Sequence, residues 1–128
     1  MEASSAQNKS TAQIIDLTYL NDLADGNFDF VEEMINLFLN SVPQSATDLN
    51  AAIDAGDWDK VKAIAHRIKP SFGFIGAKDA QDWLGQMEKN AIEAPDRSFQ
   101  NKLFQQVNQT LAQCVQELQQ ELVRNKAS

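Results

Sequence analysis

The 128-residue chain holds one cysteine, one histidine, one tyrosine, three prolines and five glycines. Each scarcity excludes something. A lone thiol, Cys114, makes no internal disulfide, so a disulfide-stapled secreted scaffold is ruled out and a reducing cytoplasm is the expected setting. No apolar run approaches the roughly 18–20 residues that span a bilayer, so membrane insertion is not expected. The stretch from Met1 to Thr11 lacks the apolar core of a signal peptide. Positive charge is also short. Eleven Lys and Arg face 18 Asp and Glu, for a formal net charge of −7. Phosphate backbones call for a Lys/Arg surface, so this balance argues against a nucleic-acid binder. Strand-type alternation competes nowhere along the chain.

What remains is apolar residues at helical spacing. Hydrophobic residues make up 43% of the chain, enough for one domain with one core. Residues 1–13 are small and polar and read as a flexible N-terminal segment. Order is expected over 14–125. Leu17, Leu20 and Leu23 predict a short helix, capped by Thr18 and ending at Gly26. From Asn27, an N-cap candidate, Val31, Met34, Ile35, Phe38 and Val42 form one stripe. Pro43 should kink that helix or divide it. Ala46, Leu49, Ala52 and Ile53 then carry the pattern to Gly56.

Asp57 is the expected cap of a central helix whose core stripe is Val61, Ile64, Ala65, Ile68, Phe72 and Ile75. A further helix runs from about Lys78 to Ala91, with Ala80, Leu84 and Met87 inward. The last and longest follows Asp96, with Leu103, Phe104, Val107, Leu111, Cys114, Val115, Leu118 and Leu122 on its stripe. Cys114 on that stripe reads as a structural thiol, and Trp58 as packing where helices meet. The expected fold is all-α: an antiparallel up-down four-helix bundle with a short N-terminal helix laid over it.

His66 lies about 150° from the centre of the core stripe, at about 100° per residue, and so points outward. Lys62, Lys69 and Gly73 share that face. Two local rules are broken beside the imidazole. Pro70 sits inside the helix, where it removes the hydrogen bond to the His66 carbonyl at a cost of about 3 kcal/mol. Gly73 adds about 1 kcal/mol. The bland alternative is an ordinary solvated lysine stripe. Broken rules clustered at one exposed histidine favour a site.

The run Ala65-His66-Arg67-Ile68-Lys69, followed by small Ser71 and then Ile75-Gly76-Ala77, resembles the signature of histidine-containing phosphotransfer (HPt) domains. Tyr19-Leu20, Gly26-Asn27, Phe38-Leu39, Leu49, Leu84 and Met87-Glu88 match the family in order, over about residues 14–122. The resemblance implies a four-helix bundle whose surface histidine takes a phosphoryl group from one receiver-domain aspartate and passes it to another. By position it makes His66 the phosphorylated residue and Lys69 its charge partner. Ser71 and Gly73 become the small positions that admit a receiver, and Glu88 the contact to the imidazole. Pro70 departs from the pattern, since most members have glycine there.

On this reading the partners are response-regulator receiver domains and a hybrid sensor histidine kinase, and the chain is a monomer. It is a phosphocarrier with no cofactor and no metal of its own, and the divalent metal belongs to the receiver. No Gly-rich phosphate loop or kinase signature is present, so ATP is not used directly. An apolar docking patch is expected from Leu17, Leu20, Phe28 and Phe30, for each of which plain packing is the alternative. Three rival functions compete with this reading. A non-phosphorylated docking module with the same bundle would not need both His66 and Lys69. A metal or haem bundle needs several inward ligands, and one outward histidine supplies none. A kinase fragment needs a nucleotide-binding domain that this length does not hold.

Overall fold

The computed structural model of the protein describes residues 13–127. All but the last residue of the expected flexible segment lies outside the described residues. Five helices follow in order: α1 (Thr18–Ala24), α2 (Phe28–Ala55), α3 (Trp58–Phe74), α4 (Lys78–Glu93) and α5 (Arg97–Ala127). No strand occurs among the described residues. Helix α3 packs on α2 and α4, α5 closes the ring against both α2 and α4, and α1 lies on α2. This is the up-down bundle with its covering helix.

The caps explain most of the boundaries. The Asn27 carboxamide oxygen accepts from the Phe30 N–H, and the Asp57 carboxylate from the Lys60 N–H. Asp96 accepts from the Ser98 N–H at 2.9 Å. Each satisfies a donor that has no partner inside its helix. Thr18 departs from expectation. It is the first helical residue, and Leu17 holds the cap position without a side-chain acceptor. The Thr18 N–H is taken instead by Asp16, at 3.0 Å. At the other end of α2, Arg97 donates to the carbonyls of Ile53 and Asp54 in its last turn, the first of which also accepts from the Gly56 N–H. Its guanidinium also lies 6.0 Å from the centre of the Trp58 ring, which is how Trp58 packs where helices meet.

Pro43 neither ends nor divides α2, which runs unbroken for 28 residues. The lost hydrogen bond costs about 3 kcal/mol, but Val42, Ala46 and Leu49 are buried on both sides of it. Their burial, at about 1.5–3 kcal/mol for a full aliphatic side chain, holds the helix through the defect. Pro70 likewise lies inside α3 without ending it, flanked by buried Ile68 and Phe72.

The core runs the length of the bundle. Ile35, Leu49, Ile53, Val61, Phe72, Leu84, Met87, Val107 and Leu118 are fully enclosed. Phe72 of α3 meets Phe38 of α2 edge-on, with ring centres 5.3 Å apart. Cys114 is buried, and its thiol is pushed up to about 12, first by burial and then by the nearby Glu117 charge. That makes it inert packing. No helix is long and apolar enough to cross a membrane among the described residues. Replacement of Phe72 by Ala is expected to cost about 3–5 kcal/mol in urea unfolding. Replacement of exposed Val123 by Ser should stay within about 0.5 kcal/mol.

Candidate functional site

Helices α3 and α4 are joined by a tight turn at Gly76 and run antiparallel, so residues on their outward edges meet in pairs. Lys69 passes Gly85, with its Cδ 3.8 Å from where a Cβ on that glycine would stand. Gly73 meets Gln81, whose Nε2 would lie 2.6 Å from a Cβ at residue 73. His66 meets Glu88. The outward gap expected at Gly73 is therefore filled by a glutamine from the next helix, and the glycine is what lets that side chain lie flat across α3.

The His66 side chain is 72% exposed, as the periodicity required. Its Nδ1 lies 2.9 Å from Glu88 Oε2, and Lys69 Nζ donates to Glu88 Oε1 at 3.0 Å. One carboxylate thus bridges the imidazole and the ammonium. Burial pulls the Glu88 carboxyl upward, but the Lys69 hydrogen bond and charge, joined by those of His66, outweigh it and hold the group below its ordinary value. Glu88 is ionised at neutral pH and can only accept. Nδ1 must then carry the ring proton, which leaves the Nε2 lone pair free on the exposed side of the ring.

Lys62 is exposed one turn before His66. Pro70 is exposed and has no N–H, so the His66 carbonyl lacks its usual helical donor. Ser71 does not stand beside the imidazole. It lines a groove between α2 and α3 with Met34, Leu37, Phe38 and Phe74. A second cleft follows the α3–α4 edge beside Pro70 and Gly73, walled by Asp16, Tyr19, Phe74 and Gln81.

The docking set needs correction. Leu20 is fully buried, because it is the one α1 side chain that points straight into the core. Leu17, Phe28 and Phe30 are half-buried and pack against the core. The exposed apolar residues on this side are Tyr19, Leu23 and Leu37. Tyr19 rests on Phe74, with ring centres 5.9 Å apart. Sequence reasoning missed Gln81 and Gly85 as site residues. Their signal was present: both share a helical face with Glu88 at spacings of seven and three. Among the described residues no cluster of three His, Cys, Asp or Glu is placed to hold a metal ion.

A bundle that displays one histidine on an open helical face, hydrogen-bonded from behind and flanked by an ammonium, is built to offer that ring to another protein. The chain belongs to the Hpt domain family, whose model matches residues 33–126. Its activity is accordingly histidine phosphotransfer in phosphorelays, with receiver domains and kinases as the interacting classes. The fold is similar to that of the histidine-containing phosphotransfer protein B (HptB) of Pseudomonas aeruginosa PAO1. The two share 23% identity at a TM-score of 0.76, over 88% of this chain and 97% of that one. No curated protein matches the sequence.

The lowered Glu88 value makes a pH prediction. A carboxylate whose value falls on folding stabilises the fold at every pH above its unfolded value, and the contribution is lost as the pH drops through the folded one. Glu88→Gln should therefore be less stable than the parent at pH 7 in urea unfolding. The gap should shrink once the pH is below the ordinary carboxylate range.

Proposed function

We propose that His66 Nε2 is the atom that carries the phosphoryl group, in exchange with a receiver-domain aspartyl phosphate. The supporting observation is the Glu88 bridge, which accepts from the Nδ1–H, keeps the ring proton there and leaves Nε2 as the free nucleophile. In the forward step the Nε2 lone pair attacks phosphorus. The N–P bond forms, the P–O bond to the aspartate breaks, and the carboxylate leaves with its electron pair. The imidazole becomes cationic as the bond forms, with its proton still on Nδ1. The ionised Glu88 carboxylate faces that charge at 2.9 Å and offsets it. The reverse step returns a neutral ring.

Transfer of this kind depends on positioning and on neutralising the equatorial oxygens. Lys69 is assigned that second task. It shares the carboxylate with His66 and is thus held beside the ring in the unmodified state. Exposed Lys62 adds positive potential from one turn away. The divalent ion that completes the neutralisation is assigned to the receiver. We further assign this chain to the cytoplasm, as a monomeric carrier that does not use ATP itself. Its expected partners are response-regulator receivers and the receiver of a hybrid sensor kinase.

Pro70 is a compact exposed neighbour of His66, and Gln81 lies flat over Gly73 rather than standing up from the face. The exposed residues Tyr19, Leu23 and Leu37 take over the apolar docking role first given to Leu20. A phosphorylated receiver should pass its label to this protein, and the label should be acid-labile. His66→Gln should abolish labelling while the helical circular dichroism spectrum is kept. Lys69→Ala should slow transfer about tenfold, or ~1.4 kcal/mol, with the fold intact. Label retained on the His66→Gln variant, or a Lys69→Ala rate equal to the parent's, would remove the respective role.

A further inference from the structure

Glu117 of α5 is a buried carboxylate that the transfer chemistry does not use. It is 5% exposed, and such a group is costly to bury unless its oxygens are satisfied. They are. The Ile14 N–H donates to Oε1 at 2.9 Å and to Oε2 at 3.1 Å, the Ile15 N–H donates to Oε1 at 2.9 Å, and Gln113 Nε2 donates to Oε2 at 2.8 Å. Two of these donors are backbone groups of a segment outside any helix.

The same segment is tied down on its other side. The Asp16 N–H donates to the Ile75 carbonyl at 2.8 Å, in the turn between α3 and α4. Gly76 follows with a φ of 74°, where a side chain is strained. A Cβ there would also drive into the Asp16 backbone oxygen and stand 2.7 Å from the Asp16 Cβ. Residues 14–17 are thus a strap, clamped between α5 and the α3–α4 turn. The strap runs directly into α1, which at seven residues is too short to hold its place unaided. What α1 places is Tyr19, 55% exposed, stacked on Phe74 along the cleft beside Pro70 and Gly73.

We propose that Glu117 is a remote positioning residue for phosphotransfer, clamping the strap against α5 so that α1 presents Tyr19 to the incoming receiver. The proposal rests on the phosphocarrier reading above and acts on docking alone. No atom of Glu117 takes part in the reaction, and the His66–Glu88–Lys69 bridge makes no contact with the strap. In Glu117→Gln one acceptor oxygen becomes an NH2 that faces the strap's own N–H groups, so the clamp is weakened while the side-chain volume is kept.

The test uses the full chain and two phosphodonors. The first is a receiver domain that labels the parent protein, charged beforehand with acetyl phosphate. The second is phosphoramidate, a small donor that needs no docking surface. In Glu117→Gln the receiver concentration for half-maximal rate should rise about fivefold. The maximal rate and the phosphoramidate labelling of His66 should stay within about twofold. Tyr19→Ala should show the same split, and combining it with Glu117→Gln should add little, because both remove one contact. Tyr19 is a surface residue, so its variant keeps the experiment decisive if a clamp variant fails to fold. An unchanged half-maximal concentration in Tyr19→Ala, or in folded Glu117→Gln, overturns the proposal. A fall in phosphoramidate labelling at unchanged half-maximal concentration overturns it too, since the clamp would then act on chemistry. Failure of both donors to label the parent would overturn the phosphocarrier reading instead.

Discussion

The register between α3 and α4 is the constraint on which the site depends. The turn at Gly76 sets it, with the Ala77 N–H closing onto the Phe72 carbonyl at 2.9 Å. Buried Ile68 and Phe72 on one helix and Ala80, Leu84 and Met87 on the other keep the two from sliding. Because helical positions repeat every 3.6 residues, a slip of one residue would turn the outward edge of α4 by about 100°. His66 would lose Glu88, Lys69 would lose its place over Gly85, and Gln81 would no longer lie across Gly73. The chemistry at the surface is thus an outcome of packing in the core. A rigid two-helix platform of this kind can hold an imidazole for in-line attack without a pocket.

Glycine and proline on α3 take their meaning from the same platform. Gly73 weakens the helix by about 1 kcal/mol relative to alanine, yet a Cβ there would meet the Gln81 amide. The residue is therefore required by the neighbouring helix as well as by any approaching partner. Pro70 removes a donor from the His66 carbonyl and leaves an exposed ring next to the histidine. Both defects lie on the outward edge, so the buried stripe of α3 is uninterrupted from Val61 to Phe72. The cost in helix propensity is confined to the face that another protein covers.

Much of this was legible in the sequence. Apolar spacing marked all five helices, because each stripe from Val31 to Leu122 faces one shared core. It also turned His66 outward, because Ile64, Ala65 and Ile68 fix the inward direction of α3. Division of α2 at Pro43, one of the two expected outcomes, did not occur, since a local rule says nothing of the packing that carries a helix through a missing hydrogen bond. Leu20 was misjudged for a related reason. A seven-residue helix has too few positions to show which side is covered, and only its seat on α2 decides that. Gln81, Gly85 and the strap were not legible, since each rests on contacts between segments. The Ile14–Glu117 bond spans 103 residues of chain, and no spacing within one helix reports it.

Charge completes the account. The chain carries a net −7, yet the proposed phosphoryl-accepting ring has exposed Lys62 one turn before it and Lys69 bonded to the same carboxylate. The one acidic side chain touching it, Glu88, is placed behind the ring and bonded to both His66 and Lys69. A carboxylate on the open side would repel the phosphoryl oxygens. Behind the ring it fixes the tautomer, and in the proposed transfer it offsets the positive charge that appears as the N–P bond forms. Lys69 then has a reason to bind Glu88 in the unmodified protein. A free exposed ammonium would wander over the rotamers of a long side chain, whereas a tethered one is already beside the atom where negative charge arrives. The acidic remainder of the surface disfavours other polyanions. On the proposed reading, Lys62 and Lys69 beside His66 serve one kind of anion, a phosphoryl group presented by a docked protein.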